Sequence, residues 1–220
     1  MDIQQLLQRL AHVDPAAVAD MDQQIRVMSS DIRPVRAGLR LLGRAYTVRC
    51  FEDYLVVLAA LEETKAGEVM VIDTQGSSAA VVGELFSMEA ARRGLSGIVI
   101  DGACRDVATI RTLDMPVYAR AFTPRSGTSV ALGERQTRVC CGGVEVCPGD
   151  IIFGDDDGIV VGSEVEFAQL LAGAEAIKRT EHQVHAALAA GTSLVSMLNF
   201  AEHHAHIEAG DTSSKLKFLL

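Results

Sequence analysis

Val82-Gly83-Glu84-Leu85-Phe86, followed by Gly97-Ile98-Val99-Ile100-Asp101-Gly102-Ala103-Cys104-Arg105-Asp106, decides how this chain folds. The first stretch starts a helix. The second is an apolar strand, then a sharp turn permitted by Gly102, then an Arg-Asp pair that opens the next helix. In an open α/β sheet, ligands gather beyond the C-terminal ends of parallel strands. Helix N-termini add unpaired backbone N–H groups that suit an anion. Arg105, Asp106 and Glu84 are therefore expected around one crevice. An anionic substrate and a divalent metal could share it.

The pattern repeats outward from there. Ala45–Cys50 reads as a strand, Leu55–Leu61 as an apolar helix, Val69–Ile72 as a strand after Gly67, Glu84–Arg93 as a helix and Gly97–Ile100 as a strand. Alternating strands and helices through this central region imply a parallel, covered sheet. Upstream, Ile3–Val13 has helical periodicity, and Asp14-Pro15 supplies an N-cap and first-turn proline. After Pro116, short β-like runs follow at 117–121, 137–141, 144–147, 150–153 and 158–161. Pro148-Gly149 and Asp155-Asp156-Asp157-Gly158 punctuate them as turns. Ser163 and Glu166 form a capping box for a helix running to about Ala190, stopped by Gly191. Its inward stripe is Phe167, Leu170, Leu171, Ala174, Ile177, Val184 and Leu188. We expect an α/β fold in one domain over 1–220, with a C-terminal helical extension over about 163–206. The tail from Glu208 to Leu220 is expected to be loosely held or docked on a neighbour.

Composition narrows the function. The 220 residues are 49% apolar with a formal charge of −9, which suits a soluble domain and argues against a nucleic-acid partner. There is no tryptophan and there are three tyrosines, so no stacking platform for bases is indicated. Cys50, Cys104, Cys140, Cys141 and Cys147 are odd in number and lack a CxxC pair. They read as buried free thiols of a reducing cytoplasm. The N-terminus has no apolar signal region, and no stretch approaches membrane-span length.

Taken together, Gly67–Ile72, Gly83-Glu84-Leu85-Phe86, Val99–Val107, Pro148-Gly149-Asp150 and Asp155–Gly158 resemble the motifs of a known family. It is that of the 4-hydroxy-4-methyl-2-oxoglutarate / 4-carboxy-4-hydroxy-2-oxoadipate aldolases, within the superfamily that includes regulator of ribonuclease activity A. The resemblance covers nearly the whole chain. It implies a β/β/α layered domain of the swivelling phosphohistidine-like type, assembled as a trimer or hexamer with sites at subunit interfaces. It implies that Asp106 holds Mg²⁺ or Mn²⁺, mostly through waters, and that Arg105 contacts the pyruvate keto or enolate oxygen. The backbone amides of Leu85 and Phe86, after Gly83, would hold the substrate carboxylate. Glu84 stands where the family has Asp, behind the metal. Glu181 matches a glutamate that reaches a neighbouring subunit's metal site, although a solvated helix position paired with Arg179 or His185 explains it equally well.

There are departures. Family members often carry Asp-Asn where Asp53-Tyr54 stands here, and a His where this chain has Leu58. The far arm of the family's larger substrates is therefore read differently. The chemistry implied is cleavage of a 4-hydroxy-2-oxo acid to pyruvate, with oxaloacetate decarboxylation as a second activity. The competing class is a non-catalytic regulator that binds a ribonuclease. In that branch, as the resemblance runs, the metal-holding Asp is replaced, whereas Asp106 is intact.

Elementary chemistry agrees on one point. An aldolase needs an electron sink, either a Schiff-base lysine or a metal. The four lysines, Lys65, Lys178, Lys215 and Lys217, lie in a turn, on the long helix and in the tail. None sits in an apolar strand where burial would lower its pKa, so a metal sink is the better reading. The His203-His204-His206 cluster has metal-binding side chains, but an exposed polar segment is the simpler reading. Asp155-Asp156-Asp157 lacks the spaced ligands of a Ca²⁺ loop and reads as a hairpin turn.

Overall fold

The computed structural model describes residues 1–219; Leu220 lies outside the described residues. The helices are α1 (Ile3–Leu10), α2 (Pro15–Met21), α3 (Leu55–Glu63), α4 (Glu84–Arg92), α5 (Val107–Ile110), α6 (Glu164–Ala189) and α7 (Phe200–Glu208). The strands are β1 (Arg26–Val27), β2 (Arg33–Pro34), β3 (Leu41–Arg49), β4 (Glu68–Asp73), β5 (Ala80–Val82), β6 (Gly97–Cys104), β7 (Val117–Phe122), β8 (Glu134–Arg135), β9 (Val139–Cys141), β10 (Val144–Val146), β11 (Ile151–Gly154) and β12 (Ile159–Gly162).

One curled sheet runs β1-β12-β11-β3-β4-β6-β7-β2, with β5 beside β6 and β8 beside β3. The central strands β3, β4, β6 and β7 are parallel, while the flanking pairs are antiparallel. The parallel sheet expected of the central region is therefore present, and the flanking antiparallel strands extend it. Strands buried on both faces read as unbroken apolar runs, and β4 shows why. Met70 and Ile72 pack with Val56, Leu61 and Ala90 of α3 and α4, whereas Val69 and Val71 pack under the β9–β10 hairpin with Val139, Cys141 and Val146. Helices, sheet and hairpin thus form the expected α/β layers. On β11 and β12, Phe153 and Val160 bury α1, α2 and α6 through Leu6, Leu10, Val18, Phe167 and Leu171.

Both halves of the capping box at Ser163 and Glu166 form, and Gly191 takes a left-handed φ of +88° after α6. Leu188, expected on the buried stripe of α6, is exposed, because the cluster shared with α1 and α2 extends only to Ile177. The tail docks on its own chain. Leu198 bridges Phe218, and the Lys217 N–H donates to Asn199 Oδ1 at 2.8 Å.

Two further expectations are corrected. No sharp turn occurs at Gly102, since β6 continues through it to Cys104. Gly102 is needed for space instead. A Cβ there would run into Thr74, whose hydroxyl donates to the Asp101 carbonyl at 2.6 Å. Nor are all the thiols buried. On β9 the alternation turns Val139 and Cys141 inward and Cys140 outward, and Cys147 is half-buried.

Candidate active site

Strand β5 fixes the geometry of the site. It pairs in parallel with the end of β6, Val82 opposite Cys104, so the start of α4 lies beside Arg105 and Asp106. The Arg105 N–H donates to the Val82 carbonyl at 3.1 Å. Gly83 is the N-cap of α4 and has an extended backbone, φ −138°, that any residue adopts. Its missing side chain is what matters. A Cβ at Gly83 would stand 2.5 Å from Asp106 Oδ2 and 3.1 Å from Arg105 Cγ. Only glycine lets the pair come this close to the helix end.

Asp106 itself has φ 59° and ψ 37°, the left-handed region that Asp and Asn tolerate best among side-chain-bearing residues. This turn, rather than one at Gly102, sends the chain from β6 into α5. Asp106 is the N-cap of α5 by position, yet its side chain makes no cap hydrogen bond to that helix. Its Oδ2 instead accepts from the Glu84 N–H at 3.3 Å and lies 3.3 Å from Arg105 Nε. Both side chains remain partly open to solvent, 42% for Arg105 and 37% for Asp106. Glu84 is fixed differently: its Oε2 accepts from the Thr109 hydroxyl on α5 at 2.6 Å. That hydrogen bond ties the start of α4 to α5.

Gly83 offers no side-chain cap, so the amides of Leu85 and Phe86, in the first turn of α4, lack intrahelical partners. Both residues line a pocket of about 280 Å³ that also takes in Arg105, Asp106, Glu84, Tyr54, Val81 and Ser126. The Tyr54 and Phe86 rings meet edge-to-face, centroids 5.7 Å apart. Behind Tyr54, Asp53 is buried. It accepts from the Thr128 hydroxyl at 2.6 Å and from the backbone N–H groups of Val130, Leu55 and Ala131. Burial alone would raise its pKa, but the Thr128 hydroxyl and these amides outweigh it and hold the carboxyl below its ordinary value. Asp53 thereby clamps the 128–131 segment to the start of α3. Cys104, buried behind the Arg-Asp turn, is pushed up to about 12 by burial and by the Asp106 charge, which removes it as a thiolate nucleophile.

The structure therefore brings together Gly83, Glu84, Leu85, Phe86, Arg105 and Asp106. It leaves Glu181 elsewhere, on α6, with its carboxylate 2.6 Å from Lys178 Nζ rather than paired with Arg179 or His185. The histidines of α7 do not converge. His203 faces Ser214, His206 faces Asp211 and His204 faces Glu208. Asp155–Gly158 forms the hairpin turn between β11 and β12, as read from the sequence. Thr109 and Thr128 carry no signal in the sequence, because their partners lie 25 and 75 residues away.

Among the described residues no group of three or more His, Cys, Asp or Glu side chains converges to hold a metal. The donors at the pocket are two neighbouring carboxylates, Asp106 and Glu84. That is the sparse set which suits a largely hydrated Mg²⁺ or Mn²⁺ and not a protein-enclosed ion such as structural Zn²⁺.

The RraA-like family model, described as Aldolase/RraA, matches residues 14–161, and the chain belongs to this family. The chain is similar to the RNA-processing inhibitor RraA from Thermus thermophilis, with 31% identity over 68% of this chain and 92% of that one, TM-score 0.64. It is similar to RraAS2 of Streptomyces coelicolor, described as an unusual member of the RNase ES inhibitor RraA family, with 28% identity over 82% of this chain and 96% of that one, TM-score 0.73. An uncharacterized protein from Pseudomonas syringae pv. tomato shares the fold over 88% of this chain and 96% of its own, with 27% identity and TM-score 0.77. The family joins ribonuclease inhibitors and lyases under one fold, and its aldolase members use divalent metals.

Proposed function

We propose that this chain is a divalent-metal-dependent carbon–carbon lyase that releases pyruvate from a 4-hydroxy-2-oxo acid, with oxaloacetate decarboxylation as a second activity. The observation that carries this reading is the placement of Arg105 and Asp106 against the uncapped start of α4, inside one pocket. The amides of Leu85 and Phe86 are suited to the substrate carboxylate, as helix N-termini are to anions. Arg105 is suited to the 2-oxo oxygen, where negative charge grows as pyruvate enolate forms. Fixed charge aimed at a developing oxyanion is usually the largest catalytic contribution. Asp106 would hold Mg²⁺ or Mn²⁺, with Glu84 behind it. When bound, such an ion supplies Lewis acidity toward the 2-oxo carboxylate. Gly83 and Thr109 position these groups: the first by leaving room, the second by fixing the Glu84 carboxylate.

We place the active form in a homotrimer or homohexamer. A strip of exposed apolar side chains, Leu58, Val130 and Leu132, flanks the start of α3 and suits packing between copies. In such an assembly Glu181 would serve a neighbour's site and not its own.

The similarity to ribonuclease inhibitors favours a second reading, a regulator that works through its surface. One experiment separates the two. Purified protein is assayed for pyruvate release from 4-hydroxy-4-methyl-2-oxoglutarate and oxaloacetate with Mg²⁺ or Mn²⁺, and for inhibition of a ribonuclease E-type enzyme. Metal-dependent pyruvate release supports the lyase. Ribonuclease inhibition with no lyase activity on any short 2-oxo acid supports the regulator.

A further inference from the structure

The segment 123–131, between β7 and β8, is tied by backbone hydrogen bonds to three elements that carry the site. At its start the Thr123 N–H donates to the Cys104 carbonyl at 3.0 Å, one residue before Arg105. Its middle lies along β5. The Ala80 N–H donates to the Arg125 carbonyl at 2.8 Å and the Gly127 N–H to the Ala80 carbonyl at 2.9 Å, which makes a parallel bridge between Ala80 and Ser126. Its end lies along the approach to α3. There the Thr128 N–H donates to the Glu52 carbonyl at 2.7 Å and the Tyr54 N–H to the Thr128 carbonyl at 2.8 Å. The buried Asp53 carboxylate locks this end through the Thr128 hydroxyl at 2.6 Å and the Val130 and Ala131 N–H groups at 2.6 and 3.1 Å. Gly127 permits the close passage. A Cβ there would stand 2.7 Å from the Glu52 carbonyl oxygen and 3.2 Å from the Asp53 nitrogen, backbone atoms that no change of rotamer can clear.

β5 needs this support. It has three residues and a register shift against β6, so it makes few ladder bonds on that side, and the segment supplies more on the other. β5 then runs directly into Gly83 and Glu84, and its Val82 carbonyl accepts from the Arg105 N–H at 3.1 Å. We infer that 123–131 is a strap that sets the spacing between the start of α4 and the Arg105–Asp106 pair, and that Gly127 and Thr128 are positioning residues of the site. They act through Ala80 and Asp53, and neither lines the pocket. The inference rests on the lyase reading of the same site and deepens it. Groups that bind a substrate and meet its developing charge accelerate a reaction only while their mutual geometry is held.

The test compares Gly127→Ala with the parent, as whole protein with saturating Mg²⁺. Ordinary contact begins at 3.4 Å, so the new Cβ must lift the strap from Glu52 by roughly 0.7 Å. A misplacement of about 1 Å costs on the order of 100-fold, and only part of the lift reaches α4, so kcat for pyruvate release from a 4-hydroxy-2-oxo acid is expected to fall about tenfold. KM should move much less. The inhibition constant of oxalate, a planar mimic of pyruvate enolate, should rise in step with the fall in kcat, because both report the charged form of the bound molecule. Hydrogen exchange at the Ala80 and Arg105 amides should quicken, while that of Val71, inside the β4 ladder, should not. Should Gly127→Ala fail to fold, Thr128→Val takes the hydroxyl from Asp53 at nearly the same shape, and Thr128→Ser, which keeps it, should restore kcat and the oxalate constant. A folded Gly127→Ala with parental kcat and oxalate inhibition overturns the inference and leaves the lyase reading standing. So does slower turnover with unchanged exchange at Arg105, or a loss in Thr128→Val that Thr128→Ser does not recover. A parent that releases no pyruvate from any 4-hydroxy-2-oxo acid overturns both the inference and the reading beneath it.

Discussion

Replacing Gly83 with alanine isolates the geometry of the site from the stability of the fold. The backbone at Gly83 is extended, so Gly83→Ala brings no conformational strain of its own. Alanine is a poorer N-cap than glycine by up to about 1 kcal/mol. It also restricts the unfolded chain, which returns about 0.4–1 kcal/mol. The two nearly cancel, and for a chain of this size even 1 kcal/mol moves Tm by only about 2–4 °C. The site is another matter. The new Cβ would meet Asp106 Oδ2 at 2.5 Å, whereas ordinary contact begins at 3.4 Å, so roughly 0.9 Å must open between them. The Arg105 side chain, 3.1–3.2 Å from the same point, must give way too. A misplacement of about 1 Å in a catalytic group typically costs on the order of 100-fold in rate. The expected result is a variant with unchanged circular dichroism, a Tm within a few degrees of the parent, and kcat for pyruvate release lowered about 100-fold. A variant with parental kcat and Tm would show that the closeness of Asp106 and Arg105 to the start of α4 has no part in turnover.

The other predictions concern single groups. Arg105→Ala should lower kcat roughly 100- to 1,000-fold while raising KM much less, by analogy with loss of an oxyanion-hole donor. Arg105→Lys should recover only part, because an ammonium lacks the planar fork of the guanidinium. Near-normal kcat in a folded Arg105→Ala enzyme, by steady-state kinetics, would contradict the role given to the guanidinium. Asp53 predicts the acid limb of stability. Its native pKa lies below the ordinary value of about 3.9, so its contribution is complete above that pH and is lost as pH falls through the native value. Asp53→Asn should cost about 2 kcal/mol near pH 7, where charge-assisted hydrogen bonds are lost, and should flatten the decline of Tm below about pH 4. An acid limb identical to the parent's would show that Asp53 does not couple the fold to pH.

Much of the central fold is legible in the sequence because local and tertiary demands coincide there. Val69–Ile72 and Gly97–Ile100 are apolar on both faces, and the sheet buries both faces. Ser163 and Glu166 satisfy each other within one helical turn. Where the two demands part, the sequence misleads. Gly102 has the look of a turn residue, yet it serves to admit Thr74 into the middle of a strand. β5 has only three residues and a register shift against β6, too little for period-two alternation to register, although it sets the distance between α4 and Arg105. In the site, the Arg-Asp pair and the glycine before Glu84 are contiguous motifs and stand out. The bond from Thr109 to Glu84 and the clamp of Asp53 on Thr128 join residues far apart along the chain, where no spacing rule reaches. Tyr54 is visible as a departure from the family's residues, but its place on the pocket wall depends on α3 meeting α4.

The central claim, that Asp106 supports metal-dependent lyase chemistry, is tested most directly by Asp106→Asn. Asparagine also tolerates the left-handed backbone found at this position, φ 59°, so the turn into α5 is retained and the change removes the charge alone. Pyruvate release from a 4-hydroxy-2-oxo acid is followed across a Mg²⁺ or Mn²⁺ titration for parent and variant, with circular dichroism on both. The account predicts a parent activated by metal and silenced by chelator, and a folded variant whose rate does not rise at any metal concentration. Undiminished metal-dependent turnover in Asp106→Asn would contradict it.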